Sequence, residues 1–471
     1  MKKFIAYLLV AVLTLSLCAC AGSNDAPSTT EGNTILGEGL YVGYGKADIT
    51  PEGSVPLAGY GDANNRMSTD IVAKIYATCI AMTEGEETVL LFTQDMTKSV
   101  DTWTAAVRSM IETELGIPGD RVMICSTHTH TAPETYSTNP VITEYQKLYL
   151  KAMVEAAKAA LADRSPATIS GTRTEAPDMA FTRHYTTSDG KYTDNANVPT
   201  GAVLVGHPTE ADDEMILVKF DREGDKKDVL LVNWQVHPDH SHALGFTSIS
   251  ADFIGPMRDK LAADTGMEIA YFTGDTGNQT AHSRIRTEEN GLDWQAYGQK
   301  LAQIAADALP NLTPIEGAGI KASQFKLTYA MNHSGEEKFM QAKEVVAQGN
   351  NEAGKALAKK YGIETYNEAS NILARIDRPA EDTVELNAFY VAGMAFIAAP
   401  FELFSDTGIS IKESSPFDFT LLFANANEWN SYLAPAYSYD YVSYESSAGH
   451  LAKGAEDVVR AKFIEMLDGL K

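Results

Sequence analysis

The chain has 471 residues, of which 44% are hydrophobic, and its 38 basic and 63 acidic residues give a formal net charge of −25. No basic run or stripe interrupts this acidic balance, so nucleic acid is excluded as an expected partner. Cys79 and Cys125 are too few for a dense disulfide framework, and the fold must rest on its core. We expect both cysteines to be buried thiols, with a bridge between them left open.

The first 35 residues have the pattern of an export signal followed by a tether. Two lysines, an apolar stretch and a small residue before Cys20 resemble a bacterial lipoprotein signal peptide over residues 1–19, with Cys20 as the lipidated residue. A transmembrane anchor is the alternative, although the apolar stretch is short for a bilayer. Residues 20–35 are typical of a flexible tether. We therefore expect an exported protein, anchored by its lipid at the outer face of the cell membrane.

Strand-like and helix-like patterns alternate along the body of the chain, residues 36–471. Apolar runs predict strands over residues 73–82, 88–93, 122–125, 215–220, 229–236, 268–272, 389–399 and 421–424. Helical patterns predict helices over residues 100–115, 141–162, 253–265, 294–308, 338–361, 366–376 and 455–467, the fifth broken near Gly349. This alternation indicates an α/β fold with a mixed layered core of strands and helices in a single catalytic domain.

Two histidines follow the predicted strand over residues 122–125. His128 and His130 are two residues apart at the strand end, where alternating side chains project the same way. Converging imidazoles are typical of a metal or acid/base site. The segment alone is equally compatible with one hydrogen-bonded loop histidine and one exposed histidine.

Polar residues also follow several other predicted strands. Each of them alone is more often a cap or a turn than a functional group. Together, two histidine clusters and a glutamate at the strand-end edge of an α/β sheet predict a zinc-type site. These positions are His237, residues 250–252, residues 273–278, Glu402 and residues 425–432.

Six segments of the chain carry short motifs in one order. They are residues 45–50 with 59–60, 126–133, 181–183, 233–238, 250–252 and 400–403. They resemble, respectively, the opening segment and the "GTHTHSGP", "NR", "NWFAxHP", "SxDN" and "PGEF" motifs of the neutral/alkaline, non-lysosomal ceramidase family. Several motifs in a fixed order are more specific than any one of them. The chain is therefore identified as a bacterial lipoprotein form of this family's N-terminal catalytic domain.

The resemblance implies an amide hydrolase with one zinc ion per chain. It makes His128 and His237 the imidazole ligands, with Glu402 and Tyr432 completing the metal shell. Zinc in such a site activates water and polarises the carbonyl of the amide.

The resemblance also implies which residues assist the chemistry. His130 would act as acid or base beside the metal and protonate the leaving amine. Arg183 would orient the substrate, and either Arg183 or Tyr432 would stabilise the oxyanion.

The chain departs from the family in two places. The family's "GDVSPN" segment carries a serine proposed as nucleophile or substrate contact, and the matching substrate loop here contains Asp275, Thr276 and Gly277, with Gly277 at the serine. Thr276 is adjacent but out of register, so zinc-activated water fits this sequence better than a covalent serine. We also expect the chain to lack the family's C-terminal immunoglobulin-like domain, because it ends soon after Tyr432.

Three functional hypotheses remain. The first is an exported zinc amidase acting on linear N-acyl amides of small molecules or lipids, with ceramide and sphingolipid metabolism as one candidate. The second, motivated by Gly277, is a metal hydrolase for an ester or a cell-wall or glycan-derived amide. The third is a non-catalytic binding lipoprotein that contains a metal. The complete set of predicted site residues favours an enzyme over a binding protein.

Overall fold

The computed structural model describes residues 36–60, 66–240, 244–285, 292–363, 365–376 and 378–471. The predicted signal peptide, the tether and the lipidated Cys20 lie outside these residues. The described helices, α1 to α10 in chain order, are Asp101–Leu115, Pro140–Ala162, Ile254–Thr265, Trp294–Ala308, Glu336–Gln348, Glu352–Lys360, Tyr366–Ala374, Ser405–Ser414, Tyr444–Ala448 and Ala455–Leu470.

The described strands are short to medium in length. In chain order, β1 to β22 are Leu40–Asp48, Asp70–Ile71, Tyr76–Glu84, Glu87–Gln94, Val122–Ser126, Ser165–Glu175, Phe181–Thr182, His184–Thr187, Tyr192–Asp194, Leu204–Gly206, Glu214–Arg222, Val229–Trp234, Ser248–Ile249, Glu268–Thr273, Gln279–Thr280, Thr313–Pro314, Ile320–Ala330, Glu381–Val391, Met394–Ala398, Glu402–Leu403, Phe419–Phe423 and Tyr432–Leu433.

Two stacked sheets form the centre of the molecule. The larger sheet has the order β14-β12-β11-β6-β1-β3-β4-β5, with β16 beside β6, and the smaller sheet has the order β17-β18-β19-β21. Alternate side chains of each strand face opposite sides of a sheet, so both faces of the larger sheet are apolar. One face packs against the smaller sheet, where the rings of Phe272 and Phe423 stack with centroids 4.2 Å apart.

Helices cover the two outer faces. Helices α1 and α2 pack on strands β3, β4 and β5 of the larger sheet, and α3 and α4 pack on β11, β12 and β14. Helices α8 and α10 cover the outer face of the smaller sheet. The order of layers is thus helix, sheet, sheet, helix, which confirms the predicted α/β fold with a mixed layered core. Helices α5, α6 and α7 form a separate small core of their own.

The structure also tests several local predictions. The break near Gly349 is confirmed, because α5 ends at Gln348 and α6 begins at Glu352. The single strand predicted over residues 389–399 is wrong, since the run contains the turn between β18 and β19. Cys79 and Cys125 are buried and free. Among the described helices, none combines the length and the apolar character needed to cross a membrane.

Parallel strand pairs direct their carboxyl ends toward one edge of the sandwich. The pairs are β4 with β5, β12 with β14, and β19 with β21. Backbone hydrogen bonds join the two sheets at this edge, from Ala424 N to Thr273 O (3.0 Å) and from Ser126 N to Asn425 O (3.3 Å). The loops that leave these strand ends therefore meet, as expected for a ligand site in a parallel sheet.

Candidate metal centre

His128 and His237 reach the same point from two different strand ends. His128 follows β5, and its backbone adopts φ +69°, a left-handed conformation that is uncommon for a residue other than glycine. A hydrogen bond from His128 N to Met96 O (2.9 Å) holds that conformation. His237 follows β12, and the two Nε2 atoms lie 3.0 Å apart in the buried interior.

Backbone carbonyls determine the protonation of these two rings. His128 Nδ1 lies 2.5 Å from Thr97 O, and His237 Nδ1 lies 2.8 Å from Thr276 O. Because a carbonyl oxygen only accepts hydrogen bonds, each ring donates from Nδ1, and Nε2 of the neutral form offers a lone pair. The two Nε2 atoms face each other at 3.0 Å. A cation between them would be bound by both.

Glu402 adds a negative oxygen to the same point. Its Oε2 lies 3.3 Å from His128 Nε2 and 3.5 Å from His237 Nε2, and Oε2 is buried without a hydrogen-bond partner. Its other oxygen, Oε1, accepts a hydrogen bond of 2.9 Å from Trp429 Nε1. A buried carboxylate oxygen without a donor fits a cation, and the donor set of two imidazoles and one carboxylate suits a transition-metal ion.

The pKa values of these groups agree with a ligand role. Burial, together with the Arg183 guanidinium, lowers the pKa of His237 well below its ordinary value, so its ring is neutral. Burial acts to raise the pKa of Glu402, but the neighbouring His128 and the Trp429 donor outweigh it and lower that pKa. A neutral imidazole and an ionised carboxylate are the forms that bind metal.

His130 lies closer to this point than its predicted assisting role requires. Its Nε2 is 3.3 Å from His128 Nε2, and the ring nitrogens of His128, His130 and His237 lie near enough to hold one ion. His130 differs from the other two rings, because its Nδ1 is buried without a hydrogen bond and lies 3.9 Å from Asp239 Oδ1. Burial, with His128, lowers the pKa of His130 well below its usual range.

The opening motif packs against His130. The Tyr60 ring meets the His130 ring edge to face, with centroids 5.1 Å apart. Gly59 adopts φ +107°, and a Cβ there would lie 2.7 Å from the His130 ring. Glycine is therefore required at position 59, both for its backbone and for the space that His130 occupies.

Tyr432 and Arg183 lie together beside Glu402. Tyr432 is the register partner of Glu402 in the parallel pair β20–β22, and the Arg183 guanidinium lies 5.5 Å from the centre of the Tyr432 ring. Arg183 Nε donates to Glu445 Oε1 (2.7 Å), and Nη2 donates to Gly277 O (2.6 Å). Burial and Glu402 raise the pKa of Tyr432, which leaves its phenol neutral.

Two further residues, His184 and Tyr441, extend the hydrogen bonding from Glu445. Glu445 Oε2 lies 2.7 Å from His184 Nε2, and the hydroxyl of Tyr441 lies 2.6 Å from His184 Nδ1. Arg183 is thus held at the end of a hydrogen-bonded chain that runs through Glu445 and His184. Pre-oriented groups of this kind support a charged residue in a fixed position.

The predicted substrate loop acts through its backbone. The carbonyl of Thr276 holds His237, and the carbonyl of Gly277 holds Arg183. A Cβ at Gly277 would lie 2.6 Å from the carbonyl oxygens of both Glu402 and Leu403, so no side chain fits there. The carboxyl of Asp275 is turned into the interior, where burial and Asp212 raise its pKa well above the ordinary value.

The segment of residues 250–252 supports the histidine loops. Ser250 O accepts hydrogen bonds from the hydroxyls of Thr129 (2.9 Å) and Thr131 (2.8 Å). The Asp252 carboxylate contacts two nitrogens of His240, the backbone N and the ring Nδ1, each at 2.8 Å. This motif therefore positions loops and does not contribute a ligand.

Sequence reasoning missed the partners of the site residues. Thr97 contributes only a backbone carbonyl, which carries no side-chain signal. Trp429 lies within the predicted polar segment after β21. Its indole N–H could have been recognised there as a hydrogen-bond donor for a site residue. His184 lies beside Arg183, but its partner Glu445 is 261 positions away, and no local pattern links them.

Known proteins resemble this chain both in sequence family and in fold. A family model described as neutral/alkaline non-lysosomal ceramidase, N-terminal, matches residues 40–403. A crystal structure of neutral ceramidase from Pseudomonas aeruginosa superposes with a TM-score of 0.71 at 15% identity, covering 92% of this chain and 75% of that one. A ceramidase complexed with C2 gives a TM-score of 0.69 with the same identity and coverages. Among curated proteins, no sequence matches this chain. At such low identity, the structural likeness establishes the fold.

Proposed function

Because this chain belongs to the neutral/alkaline non-lysosomal ceramidase family, a family of amide hydrolases, we propose that it cleaves an N-acyl amide bond with one zinc ion. The observation that carries this proposal is the buried convergence of His128 Nε2, His237 Nε2 and Glu402 Oε2, which lie 3.0 to 3.5 Å from one another. Two neutral imidazoles and a carboxylate are a common donor set of catalytic zinc.

The residues of the site divide into ligands and assisting groups. His128, His237, Glu402 and Tyr432 would hold the ion. Bound zinc lowers the pKa of a water molecule to about 7 and polarises a carbonyl. His130 Nδ1 is buried without a hydrogen bond, and we assign His130 the transfer of a proton to the leaving amine.

Arg183 is the second assisting residue. Its guanidinium is buried beside Tyr432, and its orientation is fixed by Glu445 and by the carbonyl of Gly277. We assign it to bind the carbonyl oxygen of the substrate as negative charge develops there, with the Tyr432 phenol as a further donor. A donor that is already in place needs no reorganisation during the reaction.

The substrate is proposed as a linear N-acyl amide of a small molecule or a lipid, with ceramide as one candidate. A second candidate is an ester or a cell-wall or glycan-derived amide. It is favoured by Gly277, which leaves no room for the side chain that the family carries at the matching position. We further propose that the protein is exported and lipidated at Cys20, on the support of the N-terminal sequence pattern alone.

The test combines metal content with turnover. The mature protein, a His128→Ala/His237→Ala variant and a His333→Ala control are purified, since His333 is an exposed histidine bonded to Pro379 O. We expect about one zinc per chain in the wild type and the control, and none in the double variant. We expect the same pattern for hydrolysis of N-acyl amides in a panel that includes esters. Full turnover by the double variant, or a folded wild type that binds no supplied zinc, would contradict the proposal.

A further inference from the structure

Two arginines and a histidine gather near Trp429, the residue that donates to Glu402. The ring of His450 meets the Trp429 ring edge to face, with centroids 5.8 Å apart. The residue before His450 is Gly449, and its carbonyl lies 3.4 Å from Arg375 Nη1. Arg378 follows one turn later, where its backbone N donates to Arg375 O (3.2 Å). The residues that follow α7 thus bring two arginines close to His450, which packs on Trp429.

Each of the two guanidinium groups has a buried nitrogen without an acceptor. Arg375 is only 5% exposed, and its Nε has no hydrogen-bond partner. Arg378 Nη1 is also inaccessible to solvent and without a partner. Within the described part of the chain, no ion pair joins either guanidinium to a carboxylate. An uncompensated buried charge is costly, so a missing acceptor at this place needs an explanation.

Other buried arginines of the same chain show what is usual here. Arg258 forms two hydrogen bonds to Asp95, of 3.0 and 2.7 Å, and Arg222 is bonded to Asp163. Arg375 and Arg378 lack such a carboxylate partner among the described residues, and each keeps a buried nitrogen without an acceptor. Guanidinium groups with unused donors are suited to an oxyanion, because guanidinium matches the geometry of carboxylate, phosphate and sulfate.

The electrostatic surroundings agree with an anion. Burial lowers the pKa of Arg375, and Arg378 lowers it further; Glu368 opposes this from a distance without restoring the ordinary value. Burial, then Arg378, Arg375 and Lys98, lower the pKa of His450 to about 3, so its ring is neutral. Burial also lowers the pKa of Arg378, and Tyr329 and Asp382 oppose this without restoring the ordinary value. The two guanidinium groups thus lie close together in a chain whose net charge is −25.

We propose that Arg375, Arg378 and His450 form a binding site for the oxyanion group of a ligand, next to the metal centre. The site would take a carboxylate, phosphate or sulfate. Together with the proposed function, on which this step rests, it identifies the substrate class as N-acyl amides with an acidic group on the part that reaches beyond Trp429. A neutral amide would leave the guanidinium groups without an acceptor.

Binding of inorganic phosphate tests the site without relying on activity. The measurement is calorimetric titration at low ionic strength of the His128→Ala/His237→Ala variant, in which phosphate cannot bind through the metal. Adding Arg378→Gln should raise the Kd by about tenfold or more, since a charge-assisted pair is lost. Arg378 is only partly buried, which favours folding of this variant, and Arg378→Lys should recover part of the affinity. The charge-matched control is Arg460→Gln in α10, since the partly exposed Arg460 is paired with Glu456 and Asp457.

A second experiment compares two amide substrates, N-dodecanoylglycine and N-dodecanoylethanolamine. The amine part carries a carboxylate in the first and a neutral hydroxyl in the second. In otherwise wild-type protein, Arg378→Gln should raise KM for the acid by about tenfold and leave the neutral amide unchanged. No phosphate binding, or equal binding with and without Arg378, would overturn the inference. Phosphate binding without turnover of either amide would uphold the anion site and refute the proposed hydrolase.

Discussion

Glu402 and Tyr432 stand opposite each other in the register of the two-stranded parallel pair β20–β22. Glu402 N donates to Ser431 O (3.0 Å), so the backbone of one loop fixes the backbone of the other. The same loop also supplies Trp429, whose Nε1 donates to Glu402 Oε1. One segment after β21 therefore delivers a proposed ligand and orients a second ligand that comes from a different strand end.

Trp429→Phe removes the only donor to Glu402 Oε1 among the described residues while retaining an aromatic ring. We expect metal affinity to fall roughly 10- to 100-fold, because the carboxylate is no longer held toward His128 and His237. The measurement is a competition titration of the protein against a chelator of known affinity.

The control for this prediction is Trp103→Phe in α1. Trp103 packs on the rings of Tyr145 and Tyr149 and has no contact with the site. Its substitution should lower stability modestly and leave metal affinity unchanged. Equal affinities for the wild type and Trp429→Phe would show that the hydrogen bond to Glu402 does not orient the ligand.

Gly277→Ser places the family's residue at the matching position of the substrate loop. We expect destabilisation by about 1–3 kcal/mol and loss of turnover, because the new Cβ would lie 2.6 Å from two carbonyl oxygens. Gly206→Ser is the matched control, since no atom lies within 4 Å of a Cβ there. Chemical denaturation and an amide assay measure both effects. A serine variant as stable as the wild type and more active would mean that the loop shifts to accept a side chain.

The sequence predicted eight of the ten described helices, with α5 and α6 as one broken stretch, because these depend on local periodicity. It missed α8, α9 and the long strands β1, β6 and β17. It failed over residues 389–399, where both strands of a hairpin are buried and the apolar run is continuous. The turn is made by Ala392 (φ +44°) and Gly393 (φ +101°), which suit a tight hairpin. Gly393 indicates a turn at this position, but the uniformly apolar run around it favoured the prediction of one continuous strand.

The candidate site was only partly predictable. Side chains of the right chemistry at strand ends identified His128, His237 and Glu402, and the structure brings them together. The groups that orient them are backbone carbonyls, such as Thr97 O, or distant side chains, such as Glu445 on Arg183. Neither kind leaves a local pattern, since any residue has a carbonyl and the pair is separated by 262 positions.

Glu445→Gln tests the chain that holds Arg183. Burial acts to raise the pKa of Glu445, but His184 and Arg183 outweigh it and lower that pKa from 4.5 to about 2. A depressed carboxyl pKa contributes stability that is present above the unfolded value, about 4.3, and is lost as the pH falls toward 2. The contribution is roughly 3 kcal/mol.

The variant should therefore be less stable than the wild type at pH 7, and the difference should shrink between pH 4.5 and pH 2. Urea unfolding across this range measures it. Glu385→Gln, which breaks a partly exposed ion pair with Arg108, is the control and should cost at most about 1 kcal/mol. A difference between the wild type and Glu445→Gln that does not change with pH would contradict the proposed role of the Glu445 charge.

His130→Ala separates an acid/base role from a ligand role. The rings of His128 and His237 are fixed by carbonyls at Nδ1, whereas His130 Nδ1 has no hydrogen bond, so His130 is the ring free to exchange a proton. We expect the variant to keep about one metal ion per chain and to lose about 10²- to 10⁴-fold in kcat. Added imidazole should restore part of the rate, because it supplies the missing proton carrier. If the metal is lost as in His237→Ala, His130 is a ligand, and the proton must come from another group.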